Sequence, residues 1–166
     1  KYSTNLAVGM MFNTLSDVKK SPGSWARSSI IVGDWWNKNN LLGKPLILNG
    51  SGMGNINRIS AAQTVDLLNH VWMQKRYFPE YLGALSVSGV DGTLQRRWRD
   101  TQAERRLRAK TGAIRNVSCL SGYAVSKDNE VFAFSIMMNN YKSGGYAVKK
   151  IQNQIGLLLT EFYRPT

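Results

Sequence analysis

Three strand-like runs of apolar and β-favouring residues occupy the second half of the chain. They cover residues 107–114, 118–126 and 131–139. The polar segment Lys127-Asp128-Asn129-Glu130 separates the last two runs and predicts a hairpin turn. The pattern therefore predicts an antiparallel meander.

Apolar residues recur with helical spacing in the first half of the chain and at its end. They predict helices over residues 6–15 and 24–39, and a third helix that begins at Ser60. Ser60 and Gln63 are spaced to form a capping box, in which each side chain bonds the other residue's backbone N–H. The buried face of this helix is predicted to consist of Val65, Leu68, Val71 and Trp72. After Gly144-Gly145 we expect a C-terminal helix with an apolar face made of Val148, Ile151, Ile155, Leu158, Leu159 and Phe162.

Residues 17–23, 43–57 and 79–92 hold many turn-forming residues and predict loops, the second of them with a short extended piece at 46–48. Helices come first, then the meander, then one more helix. This order predicts an α+β fold in which helices pack on an antiparallel sheet.

Composition and charge indicate which classes of partner to consider. The 166 residues are 43% hydrophobic and 19% charged, a globular balance. The net charge of +12 suggests an anionic partner such as nucleic acid, lipid head groups or an acidic wall polymer. A basic cluster from Arg96 to Arg108, with Trp98 inside it, motivates a nucleic-acid hypothesis. No recognised nucleic-acid-binding module matches, and no Cys/His cluster has metal-ligand spacing, so we expect neither nucleic acid nor a metal.

Two short motifs carry candidate chemistry. Lys110-Thr111-Gly112 lies in a predicted strand, and Ser3-Thr4-Asn5 stands just before the first predicted helix. Acyl transfer by a serine needs a base, a proton donor to the leaving group and N–H groups for the oxyanion. A lysine ammonium, a serine hydroxyl and an asparagine amide supply such functions, and a glycine lets a substrate backbone approach the strand.

These motifs occur in the order that penicillin-recognising enzymes use, S-x-N before K-T-G. The chain also resembles the class C low-molecular-mass penicillin-binding proteins over nearly its whole length. Further segments that carry the resemblance are Ser51 to Ser60, Ser86-Val87-Ser88-Gly89-Val90-Asp91-Gly92-Thr93-Leu94, and Asn116 to Tyr123. The resemblance implies a β-lactamase/transpeptidase-like fold and a D-alanyl-D-alanine carboxypeptidase or endopeptidase of the bacterial envelope.

By resemblance, Ser3, Asn5 and Lys110 would be catalytic, and Thr111, Gly112 and Ala113 would bind substrate. The backbone N–H of Ala113 would help to hold the oxyanion. The family pattern has threonine at this position, so a hydroxyl for the substrate's terminal carboxylate is missing. Asn49 also departs from the family's usual aspartate, for which we expect a structural effect.

The S-x-x-K motif that carries the nucleophile is missing from its expected place upstream. Ser16-Asp17-Val18-Lys19 matches the letters, but it follows the S-x-N motif and stands at a helix end, so we reject it. The chain begins at Lys1 without a signal peptide. We therefore expect residues 1–166 to be the C-terminal part of one penicillin-binding domain, whose N-terminal part carries the nucleophile, in an unseen segment or a second chain.

The resemblance thus implies a serine peptidase that acts on peptidoglycan stem peptides, is inhibited by β-lactams and needs no cofactor. We expect it in the periplasm or on the outer face of the envelope, with loose attachment to lipid or wall polymer. A peptidoglycan-binding pseudoenzyme is the alternative, since the nucleophile is absent and residue 113 is alanine.

Overall fold

The computed structural model describes residues 1–17, 22–142 and 144–165. The chain forms two compact units. The sheet unit comprises residues 1–3 and the chain from Leu68 onward, and the helical unit is Thr4–Leu67.

The sheet unit contains a four-stranded antiparallel sheet in the order β1-β2-β3-β4. The strands are β1 (Ser86–Val87), β2 (Leu107–Ile114), β3 (Val117–Val125) and β4 (Val131–Asn139). The three predicted strands are confirmed, two of them at the predicted bounds. The predicted hairpin turn also forms, since Ser126 N–H donates to the Glu130 carbonyl at 2.8 Å.

One hydrophobic core holds the sheet to the segment before β2 and to the C-terminal helix. Its fully buried residues include Leu94, Leu107, Ala109, Leu120 and Ala124. Leu107 and Ala109 both belong to β2, so burial of their side chains fixes the strand that continues into Lys110.

The C-terminal helix, α5 (Gly145–Glu161), forms as predicted, but only part of its predicted apolar face is buried. The buried residues are Val148, Gln152, Gly156 and Thr160, while Leu158 is 67% exposed. Packing explains the difference. Trp98 lies so close to Gly156 that a Cβ on this residue would be 2.7 Å from the Trp98 ring, so the helix approaches the core through its glycine. Gln152 donates to the Ser118 hydroxyl at 3.1 Å, which satisfies its buried amide.

The prediction of a loop over residues 79–92 is wrong in its first part. A short helix, α4 (Phe78–Ala84), is followed directly by β1. Pro79 lies in the first turn of α4, where its missing N–H leaves no bond unmade, and Glu80 favours the same helix end. The ring of Phe78 stands edge-to-face on Tyr123, with centroids 5.5 Å apart, which anchors the helix to the sheet.

The helical unit contains α1 (Asn5–Thr14), α2 (Trp25–Lys38) and most of α3 (Ala61–Trp72), which continues into the sheet unit. The capping box is confirmed: Gln63 N–H donates to Ser60 Oγ at 3.1 Å, and Ser60 N–H to Gln63 Oε1 at 2.8 Å. Leu68 and Val71 are buried as predicted. Trp72 is not; it is 43% exposed and packs by its edge against Phe78.

The predicted loop at 43–57 is confirmed, with an isolated bridge between Leu46 and Arg58 and a 3-10 turn at Met53–Asn55. Asn49 is buried there, donates from Nδ2 to the Met53 carbonyl at 2.9 Å and accepts from Gly52 N–H at 2.7 Å. An ionised aspartate could not make the first bond, so the amide has a structural effect as expected. Of the loop predicted at 17–23, residues 18–21 lie outside the described part of the chain.

The basic cluster forms turns rather than a helix before β2 begins. Two of its guanidinium groups serve the fold. Arg97 stacks on Trp98 at 4.3 Å and donates to Asn153 Oδ1 at 2.7 Å, and Arg106 donates to the Ser126 carbonyl at 2.6 Å. Across the described residues, no helix combines the length and the apolar character needed to cross a bilayer.

Candidate active site

The site is built on the second half of β2, where one side of the strand has no neighbour among the described strands. The pairing of β1 with β2 ends at Ala109, while β3 pairs with β2 as far as Ile114. Val125 N–H donates to the Arg106 carbonyl, and Ser88 N–H donates to the Leu107 carbonyl on the other side. The backbone N–H and C=O groups of successive residues point to alternate sides of a strand. Leu107 and Ala113 are an even number of positions apart, so the Ala113 N–H points to the same side as the Leu107 carbonyl, away from β3.

Lys110 contacts Ser3, the first residue of the upstream motif, at this edge. Its ammonium donates to Ser3 Oγ at 2.7 Å, although the residues are 107 positions apart in the chain. It also donates to the Thr111 carbonyl. Ser3 has φ of 58°, a left-handed conformation that costs a non-glycine residue energy and is concentrated at functional sites.

Partial burial makes the Lys110 ammonium easier to deprotonate. Partial desolvation lowers the pKa of the Lys110 ammonium below the ordinary lysine value of 10.5. The residue as a whole remains accessible to solvent in this chain.

The first residues of the chain are fixed by the loop 86–94, which begins with β1 and ends in a 3-10 turn at Gly92–Leu94. Lys1 Nζ pairs with Asp91 Oδ2 at 2.5 Å, and the Ser86 hydroxyl donates to the Lys1 carbonyl at 3.1 Å. Gly92 has φ of 54°, and a Cβ there would stand 2.8 Å from the Lys1 carbonyl oxygen. These contacts place Ser3 two residues farther on. The only sequence signal was the run 86–94, which carried the family resemblance.

The same loop also contacts the lysine motif, through Thr93. Thr111 Oγ1 donates to Thr93 Oγ1 at 3.0 Å, and both side chains are accessible to solvent. Asp91 also accepts from Val87 N–H at 2.8 Å, and bonds from Lys1 and Val87 hold the pKa of its carboxyl below the usual value of 3.8. The Asp91 carboxylate is therefore already bonded to Lys1 and to the Val87 N–H.

Gly112 and Ala113 complete the strand edge. A Cβ on Gly112 would meet Cys119 Cβ at 3.5 Å, an ordinary contact, so packing within the chain does not require glycine there. Ala113 pairs with Ser118 of β3 and is exposed.

Two other residues singled out by the sequence lie in the helical unit. Asn5 is the first residue of α1 and is exposed. Ser16 is fully buried, donates to the Asn13 carbonyl at 2.9 Å and accepts from Ser24 N–H at 2.7 Å. Ser16 thus links the ends of two helices, consistent with its rejection as a nucleophile. Val18 and Lys19 of that match lie outside the described residues.

Comparisons with known proteins give the family. The profile of the D-Ala-D-Ala carboxypeptidase 3 (S13) family matches residues 1–162. The D-alanyl-D-alanine carboxypeptidase of Actinomadura sp. (strain R39) is 32% identical over 172 aligned residues, which cover 98% of this chain. The chain spans only 30% of that enzyme's length.

Solved structures give the fold. Penicillin binding protein 4 (dacB) from Haemophilus influenzae matches with a TM-score of 0.85 at 21% identity, covering 97% of this chain and 38% of its own. A penicillin G-acylated predatory endopeptidase from Bdellovibrio bacteriovorus, in complex with an immunity protein, matches with a TM-score of 0.61 at 16% identity, covering 98% and 48%. The expected transpeptidase-like fold is confirmed, and this chain corresponds to a portion of it.

The ordered motifs, the sheet and the family profile agree. The chain belongs to the D-Ala-D-Ala carboxypeptidase 3 (S13) family of low-molecular-mass penicillin-binding proteins.

Proposed function

We propose that this chain forms one wall of the active site of a serine-type D-Ala-D-Ala peptidase that acts on peptidoglycan stem peptides. The observation that carries the proposal is the 2.7 Å bond between Lys110 Nζ and Ser3 Oγ beside an open strand edge. A lysine and a serine so placed can pass a proton, and the open edge can hold an extended peptide.

Each residue of the site has a role in this proposal. The nucleophilic serine attacks the penultimate D-Ala carbonyl, and the N–H of Ala113 helps to hold the oxyanion. Ser3, bonded to Lys110, delivers a proton to the departing D-Ala. Thr111 contacts the terminal carboxylate, and Asn5 binds the peptide amide. Water then releases the acyl group.

The nucleophile and its lysine base are proposed to lie in a further part of the same protein, joined to this chain or present as a second polypeptide. The support is that the chain spans 30% of its Actinomadura relative, and that the S-x-x-K match within residues 1–166 starts at Ser16, which is fully buried. Residues 1–166 would then be the C-terminal part of one domain.

The envelope is the proposed location, because peptidoglycan lies outside the cytoplasmic membrane. The net charge of +12 would favour loose association with anionic lipid or wall polymer. No organic cofactor or metal enters the proposed reaction.

A covalent labelling experiment tests the function. The intact protein that contains this sequence is incubated with a fluorescent penicillin, and we expect a stable acyl-enzyme at a serine outside residues 1–166, located by peptide mass spectrometry. Preincubation with unlabelled penicillin should abolish the signal. Peptidoglycan binding without any adduct would contradict the proposal and identify the pseudoenzyme instead.

The pH dependence of acylation tests the role of Lys110. Its lowered pKa means that the ammonium loses its proton at a pH below the ordinary lysine value of 10.5. If the charge stabilises the reaction, the acylation rate should decline with rising pH before that value is reached. Lys110→Arg, which stays charged, should remove this decline even if its rate is lower. Circular dichroism at each pH checks that the protein stays folded, and a rate that is constant up to pH 10.5 would contradict the assignment.

A further inference from the structure

Thr93 belongs to the loop 86–94 and lies against Thr111 of β2. Thr93 and Thr111 have hydroxyl oxygens 3.0 Å apart, and both side chains are accessible. A carboxylate, whose oxygens are about 2.2 Å apart, can replace the bond between the two hydroxyls, and each hydroxyl then donates to one of its oxygens.

Thr93 is held rigidly enough to act in recognition. Its backbone N–H donates to Ser86 Oγ at 3.1 Å. The next residue, Leu94, is fully buried in the core of the sheet unit. The position of the Thr93 side chain is therefore set by the fold and needs little ordering when a ligand binds.

Ser86, Thr93 and Thr111 form a cluster of hydroxyls, and their bonds show which hydroxyl can donate to a ligand. Thr111 donates its proton to Thr93, and Ser86 donates its own to the Lys1 carbonyl at 3.1 Å. Within the described part of the chain, the hydroxyl proton of Thr93 has only Ser86 Oγ in reach, at 3.4 Å. That bond is long for two hydroxyls, so Thr93 can redirect its proton to an anion at small cost.

The charges around the pair also suit an anion. The Lys110 ammonium donates to the Thr111 carbonyl, which places positive charge next to the pair. The nearby carboxylate, Asp91, is already paired with Lys1.

We infer that Thr93 is a second hydroxyl donor to the free C-terminal carboxylate of the substrate. It would act together with Thr111 and supply the hydroxyl that Ala113 lacks. This inference rests on the proposed peptidase function and makes Thr93 a specificity-determining residue for substrates with a free carboxyl end.

The test compares two peptides in the intact protein. One ends in D-Ala-D-Ala with a free carboxylate, and the other is the same peptide with a C-terminal carboxamide. Thr93→Val removes the hydroxyl and keeps the shape. We expect it to lower kcat/KM for the carboxylate peptide about tenfold or more, and for the carboxamide less than twofold. Thr93→Ser should retain most of the wild-type preference, because it restores the hydroxyl.

Equal losses for the two peptides would show that Thr93 only supports the site, and no loss would show that it takes no part; either result overturns the inference while the wild-type activity still stands. A wild-type protein inactive on both peptides, and not labelled by penicillin, would instead overturn the proposed function. A combined Thr93→Val and Thr111→Val variant should lose less than the product of the single losses, since both hydroxyls serve one carboxylate.

Discussion

Lys110→Ala in the intact protein should reduce the rate of acylation by penicillin about 10²–10³-fold, the usual effect of removing one preorganised electrostatic group. The ammonium is bonded to Ser3 Oγ and partly desolvated, so its charge acts at close range in a medium of reduced polarity. Stopped-flow or gel-based kinetics with a fluorescent penicillin would give the rate constant for the wild type and the variant.

Lys149→Ala is the matched control. It removes the same charge and side chain from an exposed position on α5, outside the two motifs. Its acylation rate should stay within about twofold of the wild type, because exposed charges act weakly across salt solution. If both lysine variants lost activity equally, net charge rather than the Ser3–Lys110 contact would govern the rate.

Leu107→Ala should lower the free energy of unfolding by about 2–5 kcal/mol, the range for leucine-to-alanine changes in a packed core. Leu107 is fully buried in β2, and its side chain reaches to within 3.2 Å of the place where a Cβ on Gly156 would stand. The change therefore opens a cavity between the sheet and α5. Urea unfolding followed by circular dichroism would measure the effect.

Leu158→Ala is the control for this change, since it removes the same atoms from a side chain that is 67% exposed in this chain. We expect a loss of less than about 1 kcal/mol. A loss for Leu107→Ala as small as that of the control would mean that the core relaxes around the deleted atoms.

The strands and the capped helix were predictable because their signals are local. β2 and β4 have the bounds that their apolar runs predict, and Ser60 and Gln63 cap α3 as their three-residue spacing requires. The family resemblance also places Ser3 and Lys110 in the same expected site, and the two side chains are in contact. Local patterns succeed where neighbouring residues in the chain are neighbours in the fold.

Other features depend on contacts between distant segments, which such patterns do not encode. Gly156 is buried because Trp98 lies over it, so the buried face of α5 includes this glycine and only part of the predicted apolar face. The Lys1–Asp91 pair joins residues 90 positions apart. Thr93 next to Thr111 likewise follows from the way the loop folds back on β2. The loop predicted from Pro79 onward is wrong for a different reason. Proline ends a helix at most positions but is favoured in the first turn, which is where Pro79 lies in α4.

The contrast between two glycines bears on how this family can vary. Gly92 has a positive φ and lies against the Lys1 carbonyl, whereas Gly112 has room for a methyl group. A library of variants sorted by cellular abundance should therefore tolerate alanine at residue 112 and disfavour it at residue 92. The same library sorted by penicillin labelling should disfavour both. Selection at residue 112 would then come from the ligand alone, and the difference between the two sorted libraries would locate positions where the substrate, rather than the fold, determines the amino acid.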